Sequence, residues 1–193
     1  MGKTSVRAAV VAAALGAGLV AAVPACEAGT DAPVAGKTES GLYAAPPVRI
    51  GRWELTRYTR DVQGSQLSHC AAMVLTASET GLFLAYSAPG NSFRYGFSGA
   101  GSAAAAGPIP VRIRFDGRTA AAREAVLPLM PDDNGFDWRT ASVAASAGPG
   151  LAEELTSARK ITFSYTVDGK AHDESFALAG IGPVLKALFA CGR

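Results

Sequence analysis

Ile161-Thr162-Phe163-Ser164-Tyr165-Thr166-Val167-Asp168-Gly169 decides how the rest of the chain is read. Ile161, Phe163, Tyr165 and Val167 fall on one face and Thr162, Ser164 and Thr166 on the other, the period of two of a half-buried strand. Asp168-Gly169 is a tight-turn pair, and Ser175-Phe176-Ala177-Leu178 returns, which predicts a hairpin with a longer polar arm. The same rhythm recurs upstream. Val111, Ile113 and Phe115 alternate with Arg112 and Arg114 and end at Asp116-Gly117. Phe93, Tyr95 and Phe97 alternate with Arg94 and Gly96, and Trp53 shares a face with Leu55. Cys70 to Leu75 and Leu82 to Tyr86 are further strand candidates, joined through Ser78, Glu79, Thr80 and Gly81. Phe136 to Val143 makes another, after the turn Asp132-Asp133-Asn134-Gly135. About eight short strands separated by turns describe a mainly β protein, an antiparallel sandwich or barrel-like domain.

Two segments change period. Ile181, Val184, Leu185, Leu188 and Phe189 follow the helical spacing, with Pro183 in the first turn, and predict a short C-terminal helix. A weaker helix is expected over Leu151 to Ala158, after Gly148-Pro149-Gly150. Ala100 to Gly107 is too small-sided to pack as a strand and reads as a flexible or solvent-exposed loop.

The N-terminus has three parts. Met1 to Arg7 carries Lys3 and Arg7 without an acid, Ala8 to Val23 is an unbroken run of Ala, Val, Leu and Gly, and Pro24, Ala25 and Cys26 follow. This is the pattern of a secretory signal peptide over residues 1–25. The apolar run of 16 residues, half of them Ala, falls short of the ~20 needed to cross a bilayer. Cleavage fits after Ala25, with Val23 at −3, or after Ala28, with Cys26 at −3. Val23-Pro24-Ala25-Cys26 also resembles a lipoprotein box, with Cys26 as the acylated residue, which leaves a soluble and a lipid-anchored form both open. Residues 26–47, rich in Ala, Gly, Pro and Thr, read as a flexible tether, and one β-rich domain is expected over 48–193.

The chain has 18 Lys and Arg against 16 Asp and Glu, and two of those bases lie in the signal segment. The remainder is balanced at 16 against 16, so no positive field favours phosphate, and nucleic acid is excluded as a partner. Arg112, Arg114, Arg118 and Arg123 read as a solvated strand face and loop. Of the three cysteines one lies at the cleavage region, which leaves Cys70 and Cys191. In an exported chain that pair is expected to form a disulfide, pinning the C-terminal helix to an early strand; a metal site lacks further ligands at suitable spacing.

Motifs that suggest chemistry lack their context. Gly36-Lys37-Thr38 matches the end of a phosphate-binding loop, but Asp31 stands where the first glycine belongs. Gly99-Ala100-Gly101 follows a strand without the βαβ unit of a dinucleotide fold. Ser157-Ala158-Arg159-Lys160 has the Ser-x-x-Lys spacing of penicillin-interacting enzymes but straddles a helix end, without the companion elements. His69 and His172 stand beside polar turn sequence with no nucleophile elbow. Asp132, Asp133, Asn134 and Asp137 lack a calcium loop's spacing and terminal Glu. Trp53, Trp138, Phe93, Tyr95 and Phe97 read as core or cross-strand pairs. No catalytic, metal or cofactor residue is assigned.

Ser175-Phe176-Ala177-Leu178-Ala179-Gly180 followed by the amphipathic stretch to Cys191, with Trp53 in the first expected strand and the hairpin at Ile161 to Val167, resembles the invasion-associated locus B family of proteobacterial secreted proteins. In that family a β-sandwich closes with a Phe-x-Leu-x-Gly strand end and a short helix. The resemblance covers the last third of the chain, and the rest only in strand rhythm. The family's additional central cysteines and their Gly-Cys context are missing here. It implies a non-enzymatic periplasmic or surface β-domain, in some members tied to host-cell interaction, with no catalytic residues to carry over. The reading is therefore an exported β-domain acting on a protein partner in the envelope or on a host surface, touching membrane only through a lipid at Cys26. The alternative is a small periplasmic binding or inhibitor module, similar to a lysozyme inhibitor, that plugs its partner with the loop Ser98 to Pro110.

Overall fold

The computed structural model describes residues 36–99, 101–102, 104–117, 122–131 and 137–192; the signal segment, Cys26, Arg118 and the Asp132 to Gly135 turn lie outside them. In chain order the first strands are β1 (Gly36–Lys37), β2 (Tyr43–Ala44), β3 (Val48–Ile50), β4 (Trp53–Thr59), β5 (Leu67–Leu75), β6 (Gly81–Ser87) and β7 (Ser92–Ser98). Next come β8 (Ile109–Asp116), β9 (Arg123–Leu127), β10 (Leu129–Pro131) and β11 (Asp137–Ala144). A 3-10 turn leads into α1 (Gly148–Ser157), followed by β12 (Lys160–Val167), β13 (Lys170–Ala177) and α2 (Ile181–Cys191).

The strands form two open antiparallel sheets, as a sandwich requires. The larger runs β1-β2-β4-β5-β6-β7-β11-β10, with β3 also on β4, and the smaller runs β13-β12-β8-β9. The expected hairpin is present: Val167 pairs with Lys170 and Ile161 with Phe176, around Asp168 (φ 51°) and Gly169 (φ 74°). Two successive left-handed residues match the twist of a two-residue hairpin turn, and Asp and Gly tolerate them best. The inner faces meet through aromatic rings. Phe97 of β7 stacks 4.6 Å from Phe163 and lies 5.1 Å from Tyr165, both of β12. Val111, Ile113 and Phe115 of β8 complete the buried face of the smaller sheet.

The helical stripe is buried as its spacing predicts. α2 lies against β4, β5 and β6 with Val184, Leu185 and Leu188 inward. Phe189 sets its ring 4.7 Å from Tyr86 and 5.6 Å from Phe93. Just beyond the stripe, Cys191 is bonded to Cys70 of β5, with Cα atoms 6.0 Å apart at a sequence separation of 121. On the chain-entropy model a closed loop of that length stabilises the fold by ~4–5 kcal/mol before strain is subtracted.

Short strands carry too little pattern to be seen in advance. β9 and β10 were not expected, and the tether expected over 26–47 is paired in its described half. Gly36–Lys37 pairs with Tyr43–Ala44, which in turn pairs with Thr59 and Tyr58 of β4. Thr38 closes the turn, donating its N–H to the Leu42 carbonyl at 2.7 Å. Leu42 and Ala44 pack on the outer face of the larger sheet, apolar contact that an average over the segment's composition conceals.

Protein folded under oxidising conditions is expected to alkylate at Cys70 and Cys191 only after reduction. Replacing both by Ala should lower the unfolding free energy by ~2–5 kcal/mol in urea titration. Free thiols in unreduced protein would remove the bridge from the account.

Candidate functional site

Residues singled out for chemistry are not brought together. Ser157 Oγ donates to the Glu153 carbonyl at 2.6 Å, within the last turn of α1, while Lys160 Nζ pairs with Asp116 at 3.2 Å. His69 stacks on Tyr58, ring centroids 4.6 Å apart, and its Nδ1 is 3.2 Å from Ser68 Oγ. His172 stacks on Tyr165 at 5.1 Å, on the inner face of β13. Its neighbour Asp173 points to the other face, opposite Ser164, so these two side chains diverge. Among the described residues no three His, Cys, Asp or Glu side chains are grouped to hold a metal.

Beside His172 the inner face carries a polar cluster that the sequence did not reveal. Glu174 Oε1 accepts a hydrogen bond from the Tyr165 hydroxyl at 3.4 Å. Burial raises the Glu174 carboxyl above its ordinary pKa, against lowering contributions from the Tyr165 hydrogen bond and the nearby His172. Burial, chiefly, and the adjacent Glu174 also raise the Tyr165 phenol. The loop after β7 closes over this cluster at van der Waals distance. A Cβ at Gly99 would collide with the Glu174 carboxylate, and one at Gly101 would stand 2.6 Å from the His172 ring. Glycine at both positions lets the backbone pack directly on these side chains.

Arg139 anchors the backbone of the loop expected to be flexible or solvent-exposed at Ala100 to Gly107, in which Ala104, Ala106 and Gly107 are exposed as expected. The Arg139 side chain is fully buried. Its Nε and Nη2 donate to the Ser102 carbonyl at 3.1 and 2.7 Å, Nη1 donates to the Gly107 carbonyl at 2.6 Å, and Nη2 also reaches the Ala105 carbonyl. Ser102, itself buried, folds back on Gly99: its Oγ accepts from the Gly99 N–H at 3.1 Å and donates to the Gly99 carbonyl at 2.8 Å, to which its own N–H also donates at 2.9 Å. Burial lowers the Arg139 pKa and Asp137 opposes that shift. The signal was available in the alternation of β11, where Arg139 falls in phase with Ala141 and Val143, both packed on the main core.

A second feature lies on the outer face of the larger sheet. Thr56, Ala71, Ala85, Arg94 and Ser142 make one cross-strand row. Tyr58 and His69 flank the row on one side, and Met73 and Phe83 on the other. Small Ala71 between larger side chains leaves an open hollow of about 250 Å³, lined also by Leu42 of the β1–β2 hairpin and Met130 of β10. Arg94 is its one guanidinium. That group donates to Met130 Sδ at 3.5 Å, and among the described residues no carboxylate lies within ion-pair distance of it. The outer face of the smaller sheet differs. Arg112, Glu124, Ser164 and Asp173 line a hollow of about 320 Å³ there, with charges of both signs.

With this geometry in hand, comparison with known proteins is informative about the fold alone. No protein-family model matches the chain, and no curated protein matches it. The fold is similar to a solved structure, invasion associated protein B from Bartonella henselae. The two superpose with a TM-score of 0.52 at 11% identity, over 76% of this chain and 97% of that one. The resemblance drawn from the C-terminal residues is thus borne out in architecture. Among the described residues no helix is long and apolar enough to cross a membrane.

Arg139→Met keeps much of the side-chain length and removes the donors. It should cost about 3 kcal/mol by leaving carbonyls without partners, and should raise amide exchange over residues 101–107. For Glu174 the folded carboxyl binds its proton more tightly than the unfolded one. Its contribution to stability is therefore fully present below the ordinary carboxylate pKa and is lost as pH rises through the raised value. The denaturant midpoint of Glu174→Gln should fall less than wild type over that rise; an equal fall would clear Glu174 of the effect.

Proposed function

We propose that the chain is an exported, non-catalytic β-domain that works through protein contacts in the envelope or at the cell surface. The observation that carries this reading is the fold shared with invasion associated protein B. Three features support it. The first 25 residues have the charge and apolar pattern of a secretory signal. The Cys70–Cys191 bridge suits an oxidising compartment. The inner His172, Glu174 and Tyr165 cluster is covered by backbone at Gly99 and Gly101, which favours a structural role over acid–base catalysis there. The mixed-charge outer face of the smaller sheet is the surface this reading assigns to the protein partner. Acylation at Cys26 would add a membrane tether without altering the domain.

The full chain with a C-terminal tag, produced in a Gram-negative host, should appear in the osmotic-shock or membrane fraction. Its new N-terminus should lie near Cys26, its cysteine pair should be oxidised, and it should be inert toward generic hydrolase substrates. A product that keeps Met1 and stays reduced in the cytoplasm would overturn export, and turnover of such a substrate would overturn the non-catalytic role.

A further inference from the structure

We propose that the hollow on the outer face of the larger sheet is a binding site for a small anionic amphiphile, an apolar body carrying one carboxylate or similar acid. This goes beyond the reading of protein contacts and does not depend on it. Its floor is Ala71, and its walls include Tyr58, Met73, Phe83 and Met130. Such a lining is apolar, and its thioethers adapt to the shape of a guest. The volume of about 250 Å³ equals about eight water-sized groups at ~30 Å³ each, the size of a medium-length acyl chain or a bicyclic ring.

Charge selects the other end of the ligand. The Arg94 guanidinium has several donors, and its hydrogen bond goes to a thioether, a weak acceptor. Ser40, Ser68 and His69 are the other polar lining residues and carry no fixed negative charge. A carboxylate seated beside Arg94 would give it a charge-assisted partner in a partly desolvated place.

The backbone argues against an extended peptide as the occupant. The floor belongs to β4, β5, β6 and β7, each paired on both sides within the sheet. Their N–H and C=O groups are engaged in the ladders, so a peptide lying on this face would find few partners for its own amides. A molecule with one charged end and no amide groups has no such need.

Octanoate is the probe, titrated into the folded domain and followed by amide chemical shifts. It should bind saturably, moving resonances of Ala71, Met73, Phe83 and Arg94, and more tightly than octanol or octylamine. Arg94→Gln should weaken octanoate about tenfold, the loss of roughly one charge-assisted hydrogen bond, and leave octanol unchanged. Ala71→Phe, which fills the floor, should abolish both; Met73→Phe serves the same purpose if that variant does not fold. Equal affinity for octanoate and octanol, undiminished binding by Arg94→Gln, or shifts confined to other parts of the domain would each overturn the proposal. Displacement of octanoate by a capped apolar hexapeptide at equal concentration would overturn it in favour of a peptide site.

Discussion

One buried guanidinium organises an end of this sandwich. Arg139 has no carboxylate in ion-pair contact among the described residues, so its charge is balanced mainly by carbonyl dipoles from one short stretch of chain. A buried charge is tolerated only when its donors are satisfied. The loop after β7 therefore folds back over the inner face, and at Gly99 and Gly101 it packs so closely on Glu174 and His172 that a Cβ would displace those side chains. Buried Tyr165 and half-buried His172 and Glu174 then lie together beside the loop, and burial raises the Glu174 carboxyl.

The two faces of the larger sheet divide the remaining work. Its inner face meets the aromatic rows of β12 and the apolar stripe of α2, giving a main core that joins both sheets and both helices. Its outer face holds a smaller apolar cluster centred on Tyr58, Phe83 and Trp138. Residues on the two faces alternate along the same strands, so the hollow and the core are built from one stretch of sequence in opposite phase. The smaller sheet is different again, apolar inside and charged outside, as Val111, Ile113 and Phe115 against Arg112 and Arg114 show.

That contrast explains what could be read in advance. Strands with one wet face declare themselves by alternation, which is why β8 and the β12–β13 hairpin were legible. The α2 stripe and its cysteine were legible because helical spacing and cysteine pairing are local or arithmetic signals. Cys70 to Leu75 and Leu82 to Tyr86 gave strands but not their outer cluster, because a continuous apolar run marks burial on both sides without saying what covers the second. β9, β10 and the β1–β2 hairpin are too short to hold a period. In the loop over Ala100 to Gly107 the small residues announce exposure but not the anchoring, because the groups that hold it are carbonyls, which every residue carries. Arg139 was the missed clue, a charge in phase with apolar neighbours.

The topology also has a consequence in time. From β4 to β7 each strand is joined to the next by a short turn and pairs with it directly, so closing these loops costs little entropy. β8 meets β12 only after β9, β10, β11 and α1 have been traversed, and Cys70 meets Cys191 across 121 residues. Pairings that close small loops form early and those that close large ones form late. The consecutive strands β4 to β7 thus carry the small closure costs of this fold, and the Cys70–Cys191 bridge, 121 positions apart, removes a large one from the unfolded chain.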